Sequence, residues 1–222
     1  MFPNRKNFTP EIKPKLIKYD KDLWNKIFPK ENNQSYQLSN IGKYSIIYPK
    51  YAEEIAFIIK SYFNKKDITI TDATANIGGM SMIFSKYFKL NAIEIIPFHC
   101  EILKNNLKNY PNKYEYLIYC KDYLDIMMDL EQDVVFMDPP FGGVNYKEEK
   151  NLDLYLDNVN IVDIIIKLME NKKTKIIAIR LPINFRFNKL LKYFSKTNTY
   201  TFYKDNKPYF FLTILKLNYF IK

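Results

Sequence analysis

Glycine is scarce in this chain, five in 222 residues, and it has one histidine, one tryptophan, two cysteines and three arginines. Each shortage excludes something. Cys100 and Cys120, with only His99 beside the first, supply neither a disulfide framework nor four ligands at zinc spacing. No metal is expected, and the cysteines read as small apolar groups of a reducing compartment. No stretch reaches the eighteen or so uncharged apolar residues that cross a bilayer, because Lys, Asp or Asn interrupts every isoleucine-rich run. The opening MFPNRKNFTPEIKPKLIKYD places prolines and lysines where a secretory signal needs an apolar core. The expectation is a soluble intracellular protein, a monomer, with no membrane contact.

What is present is charge and apolar bulk. Lys and Arg total 34 against 24 Asp and Glu, a net charge of +10, while 47% hydrophobic and 17% aromatic content suffices for one good-sized core. The positive excess favours a polyanionic partner, although lysine, isoleucine and asparagine are also the residues that A/T-rich codons inflate.

Residues 1–50 are rich in Pro, Asn and Lys and read as an N-terminal arm or small helical extension. Within it, KDLWNKIF (21–28) puts Leu23, Trp24 and Ile27 on one helical side. Residues 51–222 alternate between helical and strand patterns. Ile55, Ile58, Ile59 and Tyr62 share a helix face; ITIT (68–71), NAIEII (91–96), YEYLIY (114–119), DVVFM (133–137) and TKIIAI (174–179) are strands with helical segments between them. Two last strands, 198–203 and 208–217, are joined by only five residues, enough for a hairpin and too few for a crossover helix. The pattern predicts an α/β fold, a mixed sheet with a C-terminal antiparallel hairpin, covered by helices on both faces. Ligands of such sheets bind beyond the carboxyl ends of the strands.

Four of the five glycines lie in two pairs just after predicted strands: DATANIGG (72–79) and DPPFGG (138–143). Glycine permits left-handed φ and close approach, so both loops are expected at the functional edge. The first is neither a G-x-G-x-x-G fingerprint nor a phosphate loop with Lys-Ser/Thr. A nucleoside with a zwitterionic tail suits it better, Asp72 or Asn76 taking the ammonium end. Glu94, at the end of the next strand, sits where a carboxylate accepts from ribose hydroxyls, and Asp122 follows the third strand, where it can accept from an adenine amino group.

In the second loop, Asp138 offers an acceptor while Pro139 and Pro140 fix φ and leave carbonyls that no local amide need occupy. Two acceptors holding the N–H bonds of an aromatic amine would orient it for attack on an electrophile. Phe141 then provides a stacking face for the base.

On Asp72–Gly79, Glu94, Asp122 and DPPF, the chain resembles the class I S-adenosylmethionine-dependent methyltransferases over about 51–217. That resemblance implies a seven-stranded Rossmann-like sheet, S-adenosylmethionine as cofactor, and a donor site including Asp72, Thr74, Asn76, Gly78, Glu94 and Asp122. With IGKYSIIYPKYAEEIA (41–56) and VVFMDPPFGGVNY (134–146), it is further similar to the trimethylguanosine synthase family, including cap guanine-N2 methyltransferases of large DNA viruses. Cellular members have Ser and Trp where Asp138 and Phe141 stand here. The resemblance implies mRNA cap methylation at N2 of 7-methylguanosine in capped RNA, with Asp138, Pro139 and Pro140 as the catalytic loop. It also implies that Tyr44 and Ser45 line the donor or base pocket. Phe141, Gly142, Tyr146, Lys147 and Trp24 are carried over as substrate residues, Trp24 alternatively as a core anchor. Arg180 and Arg186, rare in a lysine-dominated chain, are phosphate candidates because a guanidinium grips phosphate bidentately. His99 reads as packed. A viral product would act in host cytoplasm or nucleus. The competing expectations are an adenine-N6 or guanine-N2 methyltransferase of internal RNA or DNA positions, and a nucleic-acid-binding protein without turnover.

Overall fold

A computed structural model of the chain describes residues 13–65, 67–143 and 145–221. The first twelve residues of the arm lie outside that range. Nine strands and eight α-helices are found among the described residues. Seven strands form one mixed sheet: β1 (Thr69–Asp72), β2 (Lys89–Ile93), β3 (Tyr116–Tyr119), β4 (Val134–Met137), β7 (Ile176–Leu181), β8 (Asn198–Lys204) and β9 (Lys207–Lys216). Their order is β3-β2-β1-β4-β7-β9-β8, while β5 (Tyr155–Leu156) and β6 (Val159–Asn160) form a separate two-stranded ladder. This is the mixed α/β sheet that the spacing predicts. The contacts divide the chain into two compact units, within 9–126 and 127–222. The boundary expected near residue 50 therefore falls inside the first unit.

In the first unit β1, β2 and β3 are parallel, with Asp72 opposite Ala92 and Ile93 opposite Tyr119. Its helices are α1 (Lys21–Ile27), α2 (Gly42–Ser45), α3 (Pro49–Lys60), α4 (Gly79–Phe84), α5 (Pro97–Asn109) and α6 (Tyr123–Ile126). Proline opens α3 and α5, where its missing N–H costs nothing and its fixed φ suits a first turn. Of the predicted face, Ile55 and Ile59 of α3 are buried and Ile58 is half-buried, with Ala52 and Ala56 buried beside them.

The arm is tied in by polar contacts that apolar patterning does not reveal. Asn106 of α5, fully buried, accepts from Gln37 N at 2.7 Å and donates to Gln37 O at 3.0 Å and Ile77 O at 2.8 Å, linking arm, helix and loop. Ser39 Oγ lies 3.0 Å from His99 Nε2, and burial pushes the imidazole down to about 4, so it is neutral at physiological pH. His99 is thus a packed residue, as expected.

The cysteines require a correction. Cys100 and Cys120 form a disulfide with Cα atoms 5.7 Å apart; Cys100 is buried and Cys120 exposed. The reason is topological. Parallel β2 and β3 end at the same edge, so the first turn of α5, which leaves β2, meets the residue that follows β3.

In the second unit β4 is buried at all four positions, the signature of a strand covered on both faces. It pairs parallel with β7, which pairs antiparallel with β9, and β8 completes the hairpin. The connection tightens to the turn residues Asp205 and Asn206, both in left-handed backbone at φ 51° and 59°. Helix α7 (Ile161–Glu170) buries Ile161, Ile164, Ile165 and Leu168, and Asn160 caps it by accepting from Val162 N at 2.9 Å. The β5–β6 ladder was not expected: its turn, with Asp157 at φ 49°, lies in a polar stretch that reads as the lead-in to α7.

Candidate functional site

The first unit gathers its acids at the ends of its strands. Asp72 closes β1, 1% exposed, and its carboxylate accepts from Ser81 Oγ at 2.7 Å and Thr74 N at 3.4 Å. The buried β1 terminus thus receives a charge whose oxygens are met by the loop and by α4. Glu94 follows β2 and is 6% exposed; Oε1 accepts from Ile96 N at 2.8 Å, and the backbone of Asn76 also bonds to the carboxylate. Burial nevertheless pushes Glu94 up to about 7, against those hydrogen bonds. Asp122, half-buried, accepts from Leu124 N at 2.8 Å at the start of α6.

Between these acids, Asn76 adopts left-handed backbone at φ 50° and donates to Ser45 Oγ at 2.6 Å, while its Oδ1 is buried without a hydrogen-bond partner. An orphaned buried acceptor beside two carboxylates is chemistry for a ligand carrying hydroxyl or ammonium donors. The glycines here have another task. A Cβ on Gly78, at φ 97°, would come within 2.9 Å of Leu103 Cδ1, and one on Gly79 within 2.6 Å of Ile46 Cγ1. They let α4 pack on its neighbours. Of the residues expected here from the arm, Ser45 joins the loop, whereas Tyr44 is 81% exposed with the Lys43 ammonium 4.6 Å from its ring.

The second unit carries the Pro-Pro loop. Asp138 follows β4, and Arg180, near the end of the neighbouring β7, donates from Nη1 to both carboxylate oxygens at 3.0 and 2.9 Å. The two side chains are 15% and 13% exposed. Burial pushes the Asp138 carboxyl upward, and the Arg180 guanidinium pulls the other way. The same guanidinium lies 5.0 Å from the ring centre of Phe141 and 4.7 Å from that of Phe210. Tyr146 packs at 5.2 Å from Phe141. Pro139 is buried and Pro140 exposed, so the loop leaves the protein between them. Gly142 and Gly143 follow in left-handed backbone at φ 93° and 91°, with open space where a Cβ would stand. Lys147 is exposed, 5.9 Å from the Tyr146 ring.

Three of the substrate candidates are held by partners within the protein, Trp24 in the core-anchor alternative. Trp24 is 2% exposed; its indole N–H donates to Tyr36 O at 2.9 Å and its ring packs on Tyr19 and Phe28, which makes it an anchor of the arm rather than a stacking plane for substrate. Arg180 holds Asp138 instead of presenting an open cation. Arg186 pairs with Asp153 at 3.3 Å and donates to Asn151 O at 3.4 Å. Sequence reading also missed two residues. Asn184 donates to Tyr146 O and Glu149 O, both at 2.7 Å, and so pins the segment after the glycines. Phe210 of β9 forms the second face of the Arg180 seat. Only the β7–β9 register, with Arg180 opposite Leu212, brings it there.

The architecture belongs to a well-populated class. The structure is similar to an S-adenosylmethionine-dependent O-methyltransferase from Thermotoga maritima, with TM-score 0.55 and 18% identity over 78% of this chain and 66% of that one. It is also similar to a methyltransferase from Geobacter sulfurreducens, with TM-score 0.55 and 15% identity over 77% and 81%. The fold is therefore that of the class I Rossmann-like methyltransferases. Residues 68–207 match the family described as RNA cap guanine-N2 methyltransferase, and the chain belongs to that family. Relatives include uncharacterized protein L320 of Acanthamoeba polyphaga mimivirus, 36% identical over 70% of this chain and 61% of that protein. Another is the trimethylguanosine synthase of Schizosaccharomyces pombe, 28% identical over 75% and 67%. The chain thus spans about three-fifths of the length of the mimivirus protein.

Proposed function

We propose that this protein methylates the exocyclic N2 of the 7-methylguanosine cap of RNA, with S-adenosylmethionine as donor. The observation that carries the reading is the Pro-Pro-Phe-Gly-Gly loop after β4. It offers a half-buried aromatic ring, Phe141, beside a carboxylate, at the carboxyl end of a strand in a chain of this family. The donor-side residues fit the cofactor. Glu94 and Asp122 provide carboxylates for ribose hydroxyls and the adenine amine, and the partnerless Asn76 Oδ1 provides an acceptor for the ammonium end. When bound, S-adenosylmethionine supplies an electrophilic methyl group.

On the acceptor side, Asp138 and the Pro139 carbonyl hold the N–H bonds of the target amine and favour the positive charge that develops on its nitrogen. Phe141 stacks on the purine. Arg180 donates to both Asp138 oxygens, and its guanidinium opposes the upward push that burial gives the carboxyl. The test is transfer of labelled methyl to RNA of one sequence with a 7-methylguanosine cap, an unmethylated guanosine cap or no cap, and to the matching DNA. Label confined to the first supports the reading. Equal label in uncapped strands favours internal amine methylation, the reading to which Asp138 in place of Ser points.

A further inference from the structure

Arg180 occupies a seat whose chemistry is that of the proposed substrate. A guanidinium is a planar cation with N–H donors along one edge; 7-methylguanine is a planar cation with N1–H and N2–H along one edge. Both are recognised by a carboxylate meeting the edge and an aromatic ring covering the face. Arg180 has a carboxylate and aromatic faces of this kind: Nη1 donates to both Asp138 oxygens, and the rings of Phe141 and Phe210 lie at 5.0 and 4.7 Å. A purine and this guanidinium cannot both lie on that face of Phe141, and two cations in one such seat would repel. The seat also leaves Arg180 incomplete, since its Nε is buried without a hydrogen-bond partner. A phosphate can satisfy that donor with a charge-assisted hydrogen bond, for which a nucleoside offers only neutral acceptors.

We propose that Arg180 is a specificity-determining residue, a stand-in for the cationic base that vacates the Asp138–Phe141 seat when a ligand's 5′-phosphate chain takes over its guanidinium. The inference rests on the cap reading above and adds a condition to it: entry of the base depends on the phosphates. Internal guanines, whose single phosphates are fixed in a backbone on both sides, would release Arg180 poorly. The sequence assigned Arg180 to phosphate; the structure gives it a second partner set and makes the exchange between them the selecting step.

Calorimetric titration of the full chain with 7-methylguanosine, its 5′-triphosphate and guanosine triphosphate separates the alternatives. A closed seat lowers apparent nucleoside affinity by the fraction of molecules in which it is open, so Arg180→Met should bind 7-methylguanosine about fivefold to tenfold more tightly than wild type. The same variant should bind the triphosphate no better, so the advantage that the phosphates confer shrinks. Arg180→Lys, which keeps the charge but loses the planar group that covers the Phe141 and Phe210 rings, should fall between. Should neither variant fold, the Arg180 Nε–H resonance of the wild type carries the test, shifting with the triphosphate at saturation and staying in place if the seat is permanent. Nucleoside affinity that is unchanged or lower in folded variants, or an unmoved resonance, overturns the proposal. Wild-type preference for 7-methylated over unmethylated triphosphate is read in the same titrations. Its absence would overturn the cap reading itself, and the stand-in with it, whereas its presence alongside unchanged nucleoside affinity would overturn the stand-in alone.

Discussion

Gly78-Gly79 and Gly142-Gly143 each follow a strand, yet a Cβ on the first pair would strike Leu103 and Ile46 while one on the second would meet nothing within 4 Å. The loops around them differ in the same way. In the first unit the strand-end acids Asp72 and Glu94 are buried, bonded to the backbone and backed by a disulfide, a buried asparagine and a buried histidine. In the second, the Asp138–Arg180 pair fixes the root of the loop, Gly142 and Gly143 are exposed, and Asn184 ties down Tyr146 and Glu149 further along. A pre-formed frame suits a ligand that is the same in every turnover, and an open loop suits one that arrives attached to a long polymer. Similar sequence signals, a glycine pair after a strand, thus mark close packing together with left-handed backbone at Gly78 in one place, and left-handed backbone alone in the other.

The largest expected effect lies at the root of the open loop. Asp138→Ala leaves a mostly buried guanidinium without its carboxylate and should cost about 3 to 5 kcal/mol of stability, with turnover lost beyond that. Thermal unfolding of Asp138→Ala, compared with the doubly substituted Asp138→Ala, Arg180→Met protein, separates the two contributions: the second substitution should recover much of the stability and none of the turnover. Equal instability of both would mean that the pair is not what fixes the root.

The locked frame should show itself through pH. Glu94 is raised from 4.5 to about 7, so the folded state holds its proton more tightly than the unfolded chain and loses about 3 kcal/mol as pH rises from 4.5 to 7. His99 is lowered from 6.5 to about 4, so the folded state gains a similar amount, about 3 kcal/mol, as pH rises from 4 to 6.5. The two nearly cancel in the wild type between pH 4.5 and 6.5. Glu94→Gln should uncover the histidine slope, stability rising with pH, and should weaken S-adenosylhomocysteine by roughly 1 to 3 kcal/mol at pH 8. Denaturant titrations at a series of pH values measure the first effect and calorimetry the second; a flat profile in the variant would contradict the assignment.

Reducing the Cys100–Cys120 link opens a loop with a sequence separation of 20 and should cost about 3 kcal/mol. Native-state hydrogen exchange should place that loss in α5 and β3, leaving the second unit unchanged. The glycine pairs give the smallest effects. Gly79→Ala should cost roughly 1 to 3 kcal/mol through overpacking, most of it recovered when Ile46→Ala is added, because the clash is with that side chain. Gly142→Ala should cost about 1 kcal/mol from its left-handed backbone alone, with no neighbour able to rescue it. Rescue of Gly142→Ala, or none for Gly79→Ala, would erase the distinction between the loops.

Much of this fold is legible in the sequence because its elements obey short-range rules. The apolar run of β4, the face of α3 and the close spacing of β8 and β9 each have one good solution. The acids and the Pro-Pro loop are legible as well, since they stand next to strand ends. What is not legible depends on contacts distant in sequence. Arg180 reaches Asp138 across 42 residues, and Phe210 joins them through the register of β9. The disulfide could have been anticipated from the β2–α5–β3 crossover, which returns residues 100 and 120 to one edge, but cysteine number alone argues against it.

The central claim concerns one nitrogen atom, and the product nucleoside reports on it. RNA carrying a 7-methylguanosine cap, incubated with the protein and S-adenosylmethionine and digested to nucleosides, should yield a cap nucleoside one methyl heavier, with the added group on N2 by fragmentation. RNA with an unmethylated guanosine cap should yield unaltered guanosine. Added mass on an internal adenine or guanine, with the cap nucleoside unchanged, would contradict the account.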